Sequence, residues 1–315
     1  MVNFPRPLGA ALLAGACLLA TACGGGTGAA SSEQPGQLNI VVAFYPFQFI
    51  AERVAGSHAT VESLTQPGSE PHDLELTPRQ VGSLGDADLV IYEKTFQPAV
   101  DEAVAQSNNG SVLDTASVVP LEAANAEDLH EEEPGHEHGD ESGLDPHVWL
   151  DPANMATITA EVARRLIEAD AEHADDYTAN AKALTEQLGA LDNRFQTGLA
   201  SCARTEFITT HAAFGYLAAR YNLTQIGISG LSPEAEPSPA RIAEVQTEAK
   251  EHGVTTIFYE TLVSPAVATS MAGDLGLATD VLDPLEGITA QSRGTDYLSV
   301  MDANLAALQK AGDCR

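Results

Sequence analysis

Basic residues are scarce in this chain of 315 residues. Lysine and arginine together number 15 against 45 aspartates and glutamates, so the formal net charge is -30 at pH 7. A surface of this sign repels the phosphates of nucleic acids and anionic lipids, and it attracts cations. The composition therefore excludes DNA or RNA binding as the function. Hydrophobic residues are not scarce, since they make up 44% of the chain and can form a sizeable core. The length suffices for two domains or one large one.

A long hydrophobic run is also lacking. The apolar stretch at residues 10–19 follows Arg6 and is too short to span a bilayer, which is typical of a targeting segment. The sequence LATACG (19–24) comes next and resembles the lipobox of bacterial lipoproteins, in which the cysteine becomes the lipidated N-terminus. The match is imperfect because position 20 is alanine where leucine is usual.

This resemblance predicts a signal peptide at 1–22, lipidation of Cys23 and a flexible tether at 23–37. The mature protein would then be anchored to the outer face of the cell membrane. The alternative is an ordinary secretory signal that is cut near Ala22, which would leave the protein periplasmic. In both cases we expect an exported protein.

Cysteines are few, and export determines what they can do. Cys17 is removed with the signal peptide and Cys23 is the predicted lipid site, so the mature body keeps only Cys202 and Cys314. Two cysteines in an oxidising compartment predict one disulfide, which would fix the last residues of the chain to the beginning of its second part. The alternative is two buried free thiols.

Apolar, β-rich runs alternate with helix-like segments at both ends of the body, and the centre is helical. This order predicts an α/β fold with two lobes, each a mostly parallel sheet flanked by helices, joined by one long helix. The predicted bounds are 38–173 for the N-terminal lobe, 174–200 for the linking helix and 201–315 for the C-terminal lobe. An apolar stripe at helical spacing supports the linking helix. It comprises Tyr177, Leu184, Leu188, Leu191, Phe195 and Leu199.

Three histidines and one aspartate occupy comparable places beside predicted elements. His72 and His211 follow strands, His147 precedes the first central helix, and Asp283 ends a strand of the second lobe. Ligands bind at the carboxyl ends of strands in open α/β sheets, so these four side chains predict a metal site between the lobes. Taken singly, each has an alternative: a loop histidine can be merely solvated, and Asp283 before Pro284 can shape a turn.

Five segments resemble the successive signatures of the metal-binding lipoproteins that supply ABC importers, the ZnuA/TroA type of solute-binding protein. They are GSEPHDLELTP, DPHVWLDP, THAAFGYLAARYNL, ISGLSPEAEPSPARI and VLDPLEG. The resemblance extends from about residue 38 to 315. It implies a rigid linking helix, metal in the cleft and ligands at His72, His147, His211 and Asp283. It also implies a monomeric receptor, rather than an enzyme, that delivers its metal to a membrane permease.

The third ligand position favours zinc as the metal. It is commonly glutamate in manganese members of the family, whereas this chain has His211. Imidazole nitrogen suits zinc and carboxylate oxygen suits manganese, and three imidazoles with one carboxylate form a reasonable tetrahedral zinc site. Glu70 and Glu260 are either substitutes for Asp283 or partners of the ligands. A manganese or iron receptor is the alternative, and a zinc-dependent hydrolase is a more distant one.

An acidic loop at 123–144 lacks hydrophobic periodicity and contains His130, His136 and His138. Loops of this composition occur at the same place in zinc members of the family. We expect these histidines to hold zinc weakly as an accessory site, because an unstructured segment must become ordered when it binds. The alternative is a solvated insertion whose histidines bind nothing.

Overall fold

The computed structural model describes residues 36–124 and 143–315. The first four strands are β1 (Leu38–Val42), β2 (Ala59–Ser63), β3 (Leu89–Tyr92) and β4 (Val112–Asp114). They form one sheet in the order β2-β1-β3-β4, and all neighbouring strands are parallel. The central strand β3 is buried at every residue, as its unbroken apolar sequence LVIY leads one to expect of a strand covered on both faces.

Four helices belong to this N-terminal lobe: α1 (Tyr45–Ala55), α2 (Pro78–Asp86), α3 (Pro98–Gln106) and α4 (Pro152–Ala169). Each has proline in its first turn, where the missing amide proton removes no helical hydrogen bond. Asp151 caps α4 by accepting a hydrogen bond from the backbone of Ala153. The start of α4 is therefore well defined, and it follows His147 closely.

Two short strands frame the acidic loop. They are β5 (Glu122–Ala123) and β6 (Leu144–Asp145), which pair antiparallel. The predicted loop at 123–144 thus begins and ends on a two-stranded ladder. His130, His136 and His138 lie outside the described residues, as does Cys23.

One long helix, α5 (Ala174–Leu199), follows α4. Its 26 residues correspond to about 39 Å at 1.5 Å per residue. All six residues of the predicted apolar stripe are buried, together with Ala181. α5 packs against α1 and α4 of the N-terminal lobe and also contacts helices of the C-terminal lobe, where Phe195 of the stripe stacks on Tyr221. Because α5 is packed against both lobes, it forms a rigid connection between them rather than a flexible one.

The C-terminal lobe repeats the plan of the first. Its strands are β7 (Glu206–Thr209), β8 (Thr224–Gly227), β9 (Thr256–Tyr259) and β10 (Ala278–Val281), and its helices are α6 (Gly215–Tyr221), α7 (Pro239–Glu251), α8 (Ala266–Leu275) and α9 (Tyr297–Gly312). The sheet order is β10-β9-β7-β8 with all pairs parallel. The predicted fold class, two parallel-sheet lobes and a long helix, is confirmed.

A disulfide joins Cys202 to Cys314. The two cysteines also pair as an isolated β-bridge, so the end of the chain lies against the segment that follows α5. The predicted disulfide is confirmed, and the alternative of two free thiols is excluded. Across the two described ranges, no helix combines the length and the apolarity that crossing a bilayer requires.

One hydrophobic core spans the two lobes, and a second, which includes Ile208, Val245 and Met271, lies within the C-terminal lobe. The spanning cluster is called the shared core. Its members include Phe44 of the N-terminal lobe, Trp149 just before α4, and Tyr297 at the start of α9. Hydrogen bonds reinforce this contact, since the Trp149 indole donates to the Pro284 carbonyl and the Tyr297 hydroxyl donates to the Trp149 carbonyl. The lobes are therefore packed together next to the loops that carry the predicted ligands.

Candidate metal centre

Three histidines and a glutamate meet between the lobes. His72, His147, His211 and Glu286 each offer one donor atom, and the four atoms lie within 4.8 Å of one another. Two come from each lobe, and each stands in a segment that follows a strand. His147, His211 and Glu286 are almost fully buried, whereas the His72 side chain keeps 10% of its exposure.

The distances within the group have the scale of a metal coordination sphere. Oε1 of Glu286 lies 3.4 Å from Nε2 of His72, 3.6 Å from Nε2 of His147 and 3.4 Å from Nε2 of His211. A good hydrogen bond would be shorter, at about 2.7–3.2 Å. A tetrahedron with metal–ligand bonds of about 2.0–2.1 Å has edges of about 3.3 Å, which is the separation found here. The three separations from Glu286 therefore have the scale of zinc coordination, and all four donor atoms lie within 4.8 Å of one another.

Carboxylates orient two of the imidazoles. Asp145 Oδ1 accepts from the backbone of His147 at 2.9 Å and lies 2.7 Å from its Nδ1. Glu260 Oε1 lies 2.8 Å from Nδ1 of His211. With Nδ1 protonated and donating, each ring presents the lone pair of Nε2 to the group. These two Nε2 atoms have no hydrogen-bond partner among the described residues, which is unfavourable for a buried nitrogen unless an ion or a proton occupies the site.

The loop around His72 is fixed by polar contacts of its own. Glu70 accepts hydrogen bonds from the backbones of His72 and Asp73. Gln97, buried at the start of α3, donates to the carbonyl of Pro71. Glu70 is thus a partner of the His72 turn, and Glu260 is a partner of His211. Neither glutamate belongs to the group of four donors.

Asp283 does not belong to the group, and this corrects the expectation drawn from the sequence. Its carboxylate is already engaged, because Oδ1 accepts from the backbone of Leu285 and Oδ2 accepts from the hydroxyls of Thr261 and Ser292. Asn304 bonds to both backbone groups of Asp283. The aspartate therefore shapes a turn, and the carboxylate at the centre is that of Glu286, three residues further on.

The turn that carries Glu286 is unusual. Leu285 is fully buried and has a φ of 60°, a left-handed conformation that disfavours a branched side chain. Such a conformation persists only where its surroundings determine it, here through the Asp283 carboxylate and the Trp149 bond to Pro284. It directs Glu286 towards the histidines. Sequence reasoning missed Glu286, although it lies in the same VLDPLEG segment as Asp283.

The electrostatics of the group are those of a cation site. Burial lowers the pKa of the His211 imidazole, but Glu260 and Glu286 outweigh burial and hold that pKa well above its usual range. For His147, burial is likewise outweighed by Asp145 and Glu286, so its pKa is raised. Burial raises the pKa of the Glu286 carboxyl, yet the three imidazoles hold it well below its usual range. An ion that binds here must therefore displace protons.

Two parallel-sheet lobes, a long helix between them and a buried group of three imidazoles and one carboxylate define the class of this protein. The family model for zinc-uptake complex component A, periplasmic (ZnuA), matches residues 40–311. This match takes in both lobes and all four donors, and the chain belongs to the ZnuA family. The resemblance drawn from the sequence motifs is thereby confirmed.

Relatives named for zinc are similar over nearly the whole chain. The high-affinity zinc uptake system protein ZnuA of Bacillus subtilis is 34% identical over 97% of this chain and 98% of its own length. The zinc-binding lipoprotein AdcA of Streptococcus pneumoniae is 36% identical over 96% of this chain, which spans 60% of AdcA. Among solved structures, the Zn(II)-bound ZnuA-like domain of that AdcA has a TM-score of 0.73 at 35% identity, covering 88% of this chain and 100% of the domain.

Proposed function

We propose that this protein is an extracytoplasmic receptor that captures Zn²⁺ between its lobes and delivers the ion to the permease of an ABC importer. The ligands are His72, His147, His211 and Glu286. The observation that carries the proposal is the placement of three imidazole Nε2 atoms at 3.4 to 3.6 Å from one carboxylate oxygen. That placement suits four-coordinate zinc.

The donor set favours zinc over manganese and cargo over catalysis. Three nitrogens and one oxygen suit zinc, whereas manganese prefers oxygen ligands. A catalytic zinc site keeps one position for water, but here Glu286 supplies the fourth donor. The zinc-binding relatives support the same conclusion.

Capture and release use the side of the site that solvent reaches. His72 is the one ligand with appreciable exposure, at 10% of its side chain, and it lies in the loop between β2 and α2. The other three ligands are buried. Because α5 braces both lobes, we propose that the ion enters and leaves by movement of the His72 loop and slight tilting of the lobes.

Export and anchoring complete the proposal. The apolar N-terminal stretch directs export, lipidation of Cys23 ties the monomer to the membrane, and the 23–37 segment is the tether. The disulfide between Cys202 and Cys314 is consistent with an oxidising compartment. Near the permease, the acidic loop with His130, His136 and His138 serves as a weaker accessory zinc site.

Metal stoichiometry and affinity of the purified protein test the proposal. We expect one tightly bound zinc per chain, measured by competition with a chromophoric chelator, and weaker binding of manganese. His211→Ala should lower zinc affinity more than about 100-fold, since losing a ligand exceeds the effect of losing a ligand's partner. His252→Ala is the matched control, because that histidine is 43% exposed and lies outside the donor group. Unchanged affinity in His211→Ala would refute the site.

Deletion of residues 126–142 separates the two classes of site. The tight zinc should remain and a weaker second zinc should be lost. If the tight zinc disappears with the loop, the ligands lie there and not between the lobes. If no second zinc is detected in the full chain, the accessory role is wrong.

A further inference from the structure

Asp145 orients His147, yet the surface that holds Asp145 in place belongs to the other lobe. Gly215 is the first residue of α6, and a Cβ added there would lie closer to Asp145 Oδ2 than the 3.0 Å that real Cβ atoms keep. Gly215 does not have a left-handed backbone, since it is absent from the glycines of positive φ among the described residues. The close approach of the Asp145 carboxylate, not the conformation of the chain, is what requires glycine at this position.

The next residue of α6 holds the backbone of the same segment. The Tyr216 hydroxyl donates to the Asp145 carbonyl at 2.9 Å and accepts from the backbone N–H of Glu122 at 2.8 Å. Glu122 and Asp145 are paired across the β5–β6 ladder. Tyr216 thereby clamps both strands of that ladder to α6. Because the backbone is clamped and the atom nearest to an added Cβ is the end of the Asp145 side chain, rotation of that side chain is the response we expect.

Rotation of that side chain would break the contact that orients His147. Asp145 Oδ1 accepts from both the backbone and Nδ1 of His147, and Oδ2 belongs to the same rigid carboxylate. A group that pushes Oδ2 away from α6 therefore moves Oδ1 as well. The imidazole of His147 would lose its tautomeric and rotational constraint, while the fold around it is untouched.

We propose that Gly215 and Tyr216 are positioning residues for metal binding: the C-terminal lobe sets the orientation of an N-terminal-lobe ligand through Asp145. This inference rests on the proposed function. If α6 moves relative to β6, the geometry of the metal site should therefore change with it. A shift between the lobes alters His147 even where no ligand of the C-terminal lobe has moved.

The decisive variant is Gly215→Ala, with Gly189→Ala as the matched control. Both glycines are helical, and a Cβ at Gly189 would meet nothing within 4 Å. Gly215→Ala should lower zinc affinity about 10–100-fold, the usual effect of disturbing a ligand's hydrogen-bond partner. It should also change the visible spectrum of the Co²⁺-loaded protein and leave the thermal midpoint of the metal-free protein close to that of the wild type. Gly189→Ala should change neither affinity nor spectrum.

A double-mutant cycle shows whether the effect passes through Asp145. In an Asp145→Ala background the carboxylate is gone, so Gly215→Ala should change zinc affinity less than about twofold. Tyr216→Phe removes only the bridging hydroxyl and should weaken binding in the wild-type background but not in the Asp145→Ala background. Equal losses in both backgrounds would show that α6 acts by another route and would overturn the proposal.

Proton–nitrogen correlation spectra of the metal-free protein give a readout that needs no zinc. The wild type should show a slowly exchanging Nδ1 proton on His147, identified by its loss in His147→Gln. Gly215→Ala should lose or shift that signal, and Gly189→Ala should keep it. If the wild type binds no zinc but the signal still depends on Gly215, the proposed function fails and the orienting contact stands. If zinc binds tightly and Gly215→Ala alters neither affinity nor signal, the inference fails and the function stands.

Discussion

Asn304→Ala is the substitution that best tests how the protein builds its metal-binding turn. Asn304 lies on α9 with 2% of its surface exposed, and its amide forms two hydrogen bonds with the backbone of Asp283. Oδ1 accepts from the Asp283 N–H at 2.9 Å, and Nδ2 donates to the Asp283 carbonyl at 2.7 Å. Truncation to alanine removes both partners at once and leaves two buried backbone groups unpaired.

The cost follows from those two groups. An unpaired buried donor or acceptor costs about 1–3 kcal/mol, so for two such groups we expect the free energy of unfolding to fall by about 2–6 kcal/mol. At this chain size 1 kcal/mol corresponds to about 2 °C, which gives a fall in the thermal midpoint of about 4–12 °C. Because the same turn holds Leu285 left-handed and directs Glu286, zinc affinity should also fall, by about tenfold or more.

Urea unfolding of the metal-free protein measures the first quantity, and chelator competition measures the second. Asn193→Ala is the control, because Asn193 is exposed on α5 and its amide donates to the Gly189 carbonyl of the same helix. That variant should stay within about 0.5 kcal/mol of the wild type. If Asn304→Ala matched the control in both measurements, the turn would not depend on α9 and our account of Glu286 would be wrong.

Three further results are expected. Glu286→Gln should weaken zinc binding more than about 100-fold, whereas Asp283→Asn should weaken it by about tenfold or less, as chelator competition will show. Zinc affinity should fall as pH drops from roughly 8 to 6, because His147 and His211 have raised pKa values in the metal-free protein and must lose their protons to bind. Cys314→Ser should lower the free energy of unfolding in urea by about 2–5 kcal/mol, since its disulfide closes a loop with a sequence separation of 112 residues.

Each of these results has a clear opposite. Equal losses in Glu286→Gln and Asp283→Asn would mean that the aspartate also binds the ion. An affinity that does not change across that pH range would contradict protonated histidines in the metal-free site. The disulfide prediction carries its own control, because reductant should destabilise the wild type by the same amount and leave Cys314→Ser unaffected.

The sequence was most informative where a local pattern determines the structure. The apolar stripe from Tyr177 to Leu199 is periodic enough to define α5, and all of it is buried. Strand ends of a parallel sheet converge by construction, so His72 and His211, which follow predicted strands, could be placed together from the sequence. His147 joined them as the residue before the first central helix. Two cysteines left in an exported body pair for a similarly simple reason.

The fourth donor could not be predicted because its position depends on long-range contacts. Asp283 and Glu286 stand three residues apart in VLDPLEG, and no local pattern shows which of them faces the histidines. The choice is made by the left-handed Leu285, which is held by residues of α9 and by Trp149. The contact between Gly215 and Asp145 is of the same kind, since the two residues are distant in the chain. Side-chain packing between lobes is the information that a single sequence leaves out.

The even division of the four donors between the lobes has one more consequence. An ion held by His72, His147, His211 and Glu286 is a cross-link between two halves of the chain, so binding and resistance to unfolding rise together. Free zinc at about a thousand times its dissociation constant would add about 4 kcal/mol to the stability of the folded state. The zinc-loaded protein should therefore survive proteases that degrade the metal-free one. Scarcity of zinc would then shorten the lifetime of this protein.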